Sequence, residues 1–139
     1  MIKLIYWTET GNTANMAKYI AEGIIQGKKE VEIKEVAQAN EQDLAEAELI
    51  VLGCPATGSE EVDETEMLPF IEGAEAMFNG KKIALFGSYG WGGGEWMDIW
   101  KEQMEGLGAI VITEPLVINE FTTGQDEEIC TEYGKVLAG

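Results

Sequence analysis

Six residues near the amino terminus, Thr8-Glu9-Thr10-Gly11-Asn12-Thr13, combine hydroxyls, an amide and a glycine in one turn. They follow an apolar run, Met1 to Trp7, and precede a helical pattern. A strand thus delivers a polar turn to a helix start, where backbone N–H groups point outward unpaired and the dipole favours an anion. The loop holds no Lys or Arg, so a phosphate here would be held by N–H and O–H dipoles alone. Neither G-x-x-x-x-G-K-[ST] nor G-x-G-x-x-G is present after this strand, which argues against an NTPase and a dinucleotide fold. An ordinary capped helix start, with Thr10 or Asn12 as the cap, accounts for the same residues equally well.

Composition removes several other chemistries. There is no histidine among the 139 residues, hence no Ser-His-Asp or Cys-His arrangement and none of the commonest metal ligand. Cys54 and Cys130 form no C-x-x-C or zinc spacing; both sit in apolar stretches and read as buried free thiols, which fits a reducing, cytoplasmic setting. No metal site is expected. Nine basic against 26 acidic residues leave a formal charge of −17, which disfavours nucleic acid and anionic membranes and would attract a basic protein partner. No apolar run approaches the ~20 residues needed to span a membrane, and the first residues read as a strand rather than a signal peptide.

These groups must be placed by an alternation of strands and helices. Apolar runs at Ile2 to Trp7, Leu49 to Cys54, Ile83 to Phe86 and Ala109 to Ile118 are nearly continuous, as in parallel strands covered on both faces. Val31, Ile33 and Val36 alternate with charged residues and predict an edge strand. Thr113-Glu114-Pro115 interrupts the last run and suggests an edge or a bulge. Helical spacing links Met16, Ala17, Ile20, Ala21, Ile24 and Ile25, with Gly27 as the stop. Further helices are predicted through Met67, Phe70, Ile71, Ala74 and Phe78; through Trp96, Ile99, Trp100, Met104 and Leu107; and through Ile129, Tyr133, Val136 and Leu137. A short one spans Asn40 to Glu46. All these stripes read as core faces. The order predicts one α/β domain over residues 1–139: a doubly wound five-stranded parallel sheet, strand order 2-1-3-4-5, helices on both faces.

In such a sheet a ligand sits beyond the carboxyl ends of the strands, at the switch between strands one and three. That rule selects Thr8 to Thr13, then Pro55-Ala56-Thr57-Gly58-Ser59-Glu60, then Ser88-Tyr89-Gly90-Trp91-Gly92-Gly93-Gly94. The third loop sets two large aromatics among glycines, and Trp91 calls for a planar partner unless it folds back onto Trp96 or the core. In the second, Glu60 could accept from a ring imide N–H, or be one charge of a solvated acidic run with Glu61, Asp63 and Glu64. Together the loops suit a phosphate at one end and a flat, hydrogen-bonding heterocycle at the other, the shape of flavin mononucleotide (FMN).

Three stretches carry a resemblance over essentially the whole chain: Thr8 to Thr13; Gly53-Cys54-Pro55-Ala56-Thr57-Gly58-Ser59-Glu60-Glu61; and Leu85-Phe86-Gly87-Ser88-Tyr89-Gly90-Trp91-Gly92. The sequence resembles a short-chain flavodoxin, most like those of anaerobic bacteria, and lacks the insertion that splits the last strand of long-chain relatives. The resemblance implies non-covalent FMN and low-potential one-electron transfer between semiquinone and hydroquinone. It implies that Thr8, Thr10, Asn12 and Thr13 hold the phosphate, with backbone from Glu9 and Gly11. Trp91 would stack on the ring, Gly58 and Ser59 contact its N5 edge, and Glu60 its N3–H. Three departures stand out. Thr57 replaces a methionine common in close relatives, which thins the apolar cover. Ser59 stands where some carry Asp, and Pro55 offers no hydroxyl to the phosphate.

An FMN-dependent reductase or ribonucleotide-reductase activator on the same fold is the competing class. It needs a substrate pocket over the flavin, the face Trp91 would cover, or a dedicated partner. A phospho-acceptor signalling domain would need aspartates where this chain has Thr8-Glu9 and Cys54-Pro55. The expectation is an electron-transfer protein rather than an enzyme: a monomer that meets redox proteins, reductases or oxidoreductases, through their basic docking surfaces.

Overall fold

The computed structural model describes residues 1–9, 11–56, 63, 65–90, 94–120 and 124–139. The first apolar run forms β1 (Ile2–Tyr6) and the helical stripe after it forms α1 (Asn12–Gln26). Next come β2 (Val31–Glu35), a short 3-10 turn at Val36–Gln38, α2 (Glu41–Glu46) and β3 (Leu49–Gly53). Then follow α3 (Met67–Gly73), α4 (Glu75–Phe78), β4 (Lys82–Tyr89) and α5 (Glu95–Gly106). The chain continues through β5 (Ile110–Val111), β6 (Leu116–Asn119) and α6 (Gln125–Ala138). All strand pairs are parallel, in the order β2-β1-β3-β4-β5, with β6 also on β4.

Side chains alternate across this sheet with the period of two that strands impose. Leu4, Val51, Ala84 and Phe86 pack with α1 and α6, while Ile5, Ile50, Leu52, Ile83 and Leu85 pack with α2 to α5. The doubly wound arrangement follows, with helices on both faces. Helices α1 and α6 approach closely because two glycines face each other: a Cβ on Gly134 would stand 2.0 Å from the carbonyl oxygen of Ile20.

Four expectations need correction. The fifth strand position holds two short strands: β5 pairs with Lys82 and Ile83, and β6 with Phe86 to Tyr89. Pro115 has no N–H for the ladder, and the break leaves the carbonyl of Leu85 facing a gap. The phenol of Tyr133, on α6, lies 3.3 Å from that oxygen and 3.1 Å from the carbonyl of Glu114. A side chain thus replaces the missing ladder donor, and burial pushes the Tyr133 phenol well above its ordinary range. The helix expected through Met67 to Phe78 is broken at Ala74, whose φ of −132° is not helical. Ile25, Ile99, Ile129 and Val136, read as parts of core stripes, are exposed. At the edge strand, Ile33 is exposed, while Glu32 and Lys34 turn towards α2. They join Lys3 and Asp43 in an ion-pair network: Lys3 Nζ lies 3.4 Å from Asp43 Oδ1 and Lys34 Nζ 2.9 Å from the same atom. Among the described residues, no helix is long and apolar enough to cross a membrane.

Candidate functional site

Because every strand runs the same way, the carboxyl ends of β1, β3, β4 and β6 share one rim. Pairing continues past the strands and seats the loops side by side. Trp7 N–H donates to Gly53 O (2.9 Å), Cys54 N–H to Phe86 O (3.1 Å), Ala56 N–H to Ser88 O (3.0 Å) and Glu120 N–H to Tyr89 O (2.8 Å). Pro55 falls between two residues that donate to β4, so its missing N–H would have faced the β1 side, where the ladder has ended.

Helix α1 opens on this rim. The residue before its first turn is Gly11, left-handed at φ 99°, which glycine adopts without the clash a Cβ would bring. Thr8 Oγ1 accepts from Gly11 N–H (3.1 Å), folding the turn onto itself. Asn15 N–H donates to Gly11 O (3.0 Å) and closes the first helical turn. The N–H groups of Asn12, Thr13 and Ala14 precede that bond and have no intrahelical acceptor. No side chain among the described residues caps the helix, and its first turn holds no acidic residue. The expectation that Asn12 caps is therefore corrected: Asn12 is the first helical residue, and Thr10 lies outside the described residues.

Thr13 and Ser88, 1% and 4% exposed, tie this helix start to the end of β4 through hydroxyls 3.0 Å apart. Each hydroxyl carries one proton, so whichever donates, the other keeps a proton for a third group. A cavity of about 200 Å³ lies beside them, lined by Glu9, Asn12, Pro55, Ala56, Ser88, Tyr89, Gly90 and Glu120. Its described lining includes two carboxylates and no cation. Larger hollows of about 420 and 400 Å³ lie elsewhere: one is lined by Tyr19, Glu22, Glu127, Glu128, Thr131 and Glu132, of which Glu127 and Glu128 make the first turn of α6 acidic, and the other by residues including Lys29 and Lys82.

A helix with unfilled N–H groups, opening at the switch point on a cleft that offers hydroxyl, amide and backbone groups beside the carboxylates of Glu9 and Glu120, suits a phosphate monoester. The sequence matches the Flavodoxin family over residues 4–134. The chain belongs to the flavodoxin family. It is 43% identical to a flavodoxin of Clostridium beijerinckii over 137 residues, 99% of each protein. It is 42% identical to that of Megasphaera elsdenii, over 99% of this chain and 98% of that one. The solution structure of two-electron reduced Megasphaera elsdenii flavodoxin superposes with a TM-score of 0.89 at 40% identity, covering 99% of this chain and 98% of the other.

Within this flavodoxin frame the described structure brings Glu9, Gly11, Asn12, Pro55, Ala56, Ser88, Tyr89 and Gly90 to one rim. The hydroxyls of Thr8 and Thr13 are engaged inside the protein, with Gly11 and Ser88 respectively. Thr57, Gly58, Ser59, Glu60, Trp91 and Gly92 lie outside the described residues. Trp96, the alternative partner weighed for Trp91, is buried and stacks on Trp100 with centroids 6.3 Å apart.

Asp63 corrects the reading of a solvated acidic run. It is 3% exposed, and its carboxylate accepts four hydrogen bonds. Oδ1 receives Thr65 N–H (3.2 Å) and Thr65 Oγ1 (2.7 Å); Oδ2 receives Glu66 N–H (2.7 Å) and Met67 N–H (3.0 Å). Burial alone would raise its pKa, but these donors outweigh it and hold the carboxyl below its usual range. The Asp63 N–H donates to Cys54 Sγ (3.3 Å), and that thiol donates to Pro55 O (3.4 Å). Burial pushes the Cys54 thiol up to about 12, so it stays protonated and inert. Sequence reasoning missed Glu120, which lines the cleft at a left-handed φ of 49°. The signal was available: in the order 2-1-3-4-5 the last strand lies beside β4, so its carboxyl end reaches the same rim.

Proposed function

We propose that this chain is a low-potential one-electron carrier that uses non-covalently bound FMN and shuttles between its semiquinone and hydroquinone. The family supports FMN binding and electron transfer; the observation that carries the reading to this chain is the start of α1, which no described side chain caps, beside the Thr13–Ser88 pair. The N–H groups of Asn12, Thr13 and Ala14 would receive phosphate oxygens, with Gly11 keeping the backbone clear of them. Thr8, Glu9 and Thr10 would contribute the rest of the phosphate loop. The ring would lie between the segments Pro55 to Glu60 and Ser88 to Gly92, with Trp91 stacked on it and Glu60 on its imide N–H. Bound FMN supplies the electron acceptor and donor; the chain supplies binding, exclusion of water and charge.

That charge has two uses. Carboxylates at the cleft, such as Glu9 and Glu120, disfavour a further negative charge on a bound ligand and push its last reduction to lower potential. The overall −17 would steer encounter with redox proteins that present basic docking surfaces. The unpaired, buried Cys54 and Cys130 fit a reducing cytoplasm. We take residues 1–139 as one FMN-binding unit acting as a monomer. The test is redox titration of the FMN-loaded chain, with an assay for NAD(P)H oxidation in the absence of a reductase. Two separated one-electron steps without unaided turnover are expected. A chain that takes up no FMN, or that turns over NAD(P)H alone, contradicts the reading.

A further inference from the structure

The hollows of this molecule differ in charge. The cleft at the rim is lined by Glu9 and Glu120, and the hollow between α1 and α6 by Glu22, Glu127, Glu128 and Glu132; neither has a lysine in its lining. The hollow of about 400 Å³ lies at the other end of the sheet, its foot, where β1, β3 and β4 begin and α6 ends. Its floor is apolar: Ile2 and Leu49 are paired in register and belong to one packed cluster with Leu137. Ile112, 41% exposed, widens that floor. Lys29 and Lys82 stand over it, both exposed, and neither ammonium has a hydrogen-bond or ion-pair partner among the described residues. Glu48, the one side-chain carboxylate of the lining, faces the amino terminus of Met1 at 3.8 Å. A chain of −17 thus keeps two uncompensated lysines over an apolar floor.

We propose that the foot docks an acidic partner protein, which lays an extended segment across the hollow with carboxylates on Lys29 and Lys82 and an apolar side chain on the floor between them. The strand order sets the spacing. Lys29 leads into β2 and Lys82 opens β4, with the strands of Ile2 and Leu49 between them. Three strand spacings amount to about 14 Å. In an extended segment, residues i and i+4 lie about 13 Å apart on one face, with i+2 between them. Acid, apolar and acid at those positions match lysine, floor and lysine. The −17 repels an acidic partner at long range, but physiological salt screens that repulsion beyond about 8 Å, and the local sign then decides at contact. The rim stays uncovered, because Lys82 and Tyr89 are opposite ends of β4, about 23 Å apart. A partner could therefore hold the carrier by its foot while a second one exchanges electrons at the rim.

The test is titration of the full chain, FMN-loaded and FMN-free, with the peptide acetyl-Glu-Ser-Leu-Ser-Glu-amide at physiological ionic strength, read by amide chemical shifts. Shifts are expected at Lys29, Leu49, Lys82, Ile112 and Leu137 and not at Ser88, Gly90 or Glu120, with the same affinity in both forms. Glutamine in place of both glutamates should weaken binding about tenfold, and Lys29→Glu or Lys82→Glu about fivefold each. Both lysines are exposed, so the urea midpoints of these variants should stay near wild type; Lys29→Gln and Lys82→Gln, which should weaken binding by less, serve if they do not. Equal binding of acetyl-Glu-Glu-Leu-Ser-Ser-amide, which keeps the composition and loses the spacing, overturns the two-point arrangement. No shifts at millimolar peptide, shifts at the rim instead of the foot, or binding that survives the lysine variants overturns the docking surface. Because the FMN-free chain is titrated too, failure here leaves the FMN reading standing, and a chain that takes up no FMN leaves this inference standing.

Discussion

Helices α1 and α3 begin on the same rim and solve the same problem in opposite ways. Each exposes N–H groups that no turn of its own can satisfy. At α3 the chain supplies the acceptor, and the buried carboxylate of Asp63 takes the N–H groups of Thr65, Glu66 and Met67. Helix α2 is likewise closed, by a reciprocal pair in which Asn40 Oδ1 accepts Asp43 N–H and Asp43 Oδ2 accepts Asn40 N–H. At α1 there is no such side chain among the described residues and no acid in the first turn. An N-cap contributes about 0.5–2 kcal/mol, so leaving α1 open forgoes roughly that much stability in the unliganded chain. A phosphate bound there, as proposed, would return it. Helices α5 and α6 also begin without a side-chain cap but carry acids in their first turns, so α1 is the start that the proposed function assigns to an external anion.

The comparison can be broken first at α3. Asp63→Ala leaves buried donors without a partner and should lower unfolding free energy by about 3 kcal/mol, read by urea denaturation of the FMN-free chain. A loss below about 0.5 kcal/mol would mean that water replaces the carboxylate there. Next, α1 can be made to resemble α3. Asn12→Asp should stabilise the FMN-free chain by about 0.5 kcal/mol through the helix dipole, while weakening FMN about tenfold by repelling its phosphate. Fluorescence titration beside thermal melts separates the two effects, and a rise in FMN affinity would place the phosphate elsewhere.

Two smaller effects follow from charge. Asp63 and Asp43 titrate below their ordinary range when folded, Asp43 because Lys34, Asn40 and Lys3 outweigh its burial. A carboxyl whose folded pKa is depressed contributes stability above its unfolded value, near ~4, and loses it as pH falls towards the folded value. Stability should therefore hold from neutral pH down to about 5 and fall progressively below about 4. The fall should be shallower in Asp63→Asn, as acid titration followed by circular dichroism would show. Finally, α1 offers a phosphate no cation, while the whole chain carries −17. Long-range repulsion between like charges is screened by salt, so FMN affinity should rise about twofold to fivefold between low and physiological ionic strength. A fall would reveal a cation at the phosphate that the described residues do not contain.

Much of this contrast could be read from the amino acids, though not all of it. The α1 stripe, its stop at Gly27 and the polar turn before it were legible because period and turn chemistry are local. The strand order followed from the handedness of crossovers and from the charged alternation of Val31 to Val36. Asp63 was not legible: in a run with Glu60, Glu61 and Glu64 it reads as solvated, and only tertiary packing turns its carboxylate inward. The break at Pro115 was visible as an interruption, but whether it made a bulge or two strands depended on Tyr133, eighteen residues further on, arriving to fill the gap. Glu120 was passed over because the loops after β1, β3 and β4 already sufficed for a ligand.

The central claim is that the open start of α1 holds a phosphate. It is tested most directly by comparing FMN with riboflavin, which keeps the ring and the ribityl chain and lacks only that group. Titrating the apoprotein with each, by flavin fluorescence at one pH and salt concentration, should give FMN binding at least about 100-fold tighter, or about 2.7 kcal/mol. The advantage should shrink in Gly11→Val, where a β-branched residue cannot hold φ 99° without strain. Equal affinities for the two flavins in the wild-type chain would contradict the account, since the helix start would then be open for some other reason.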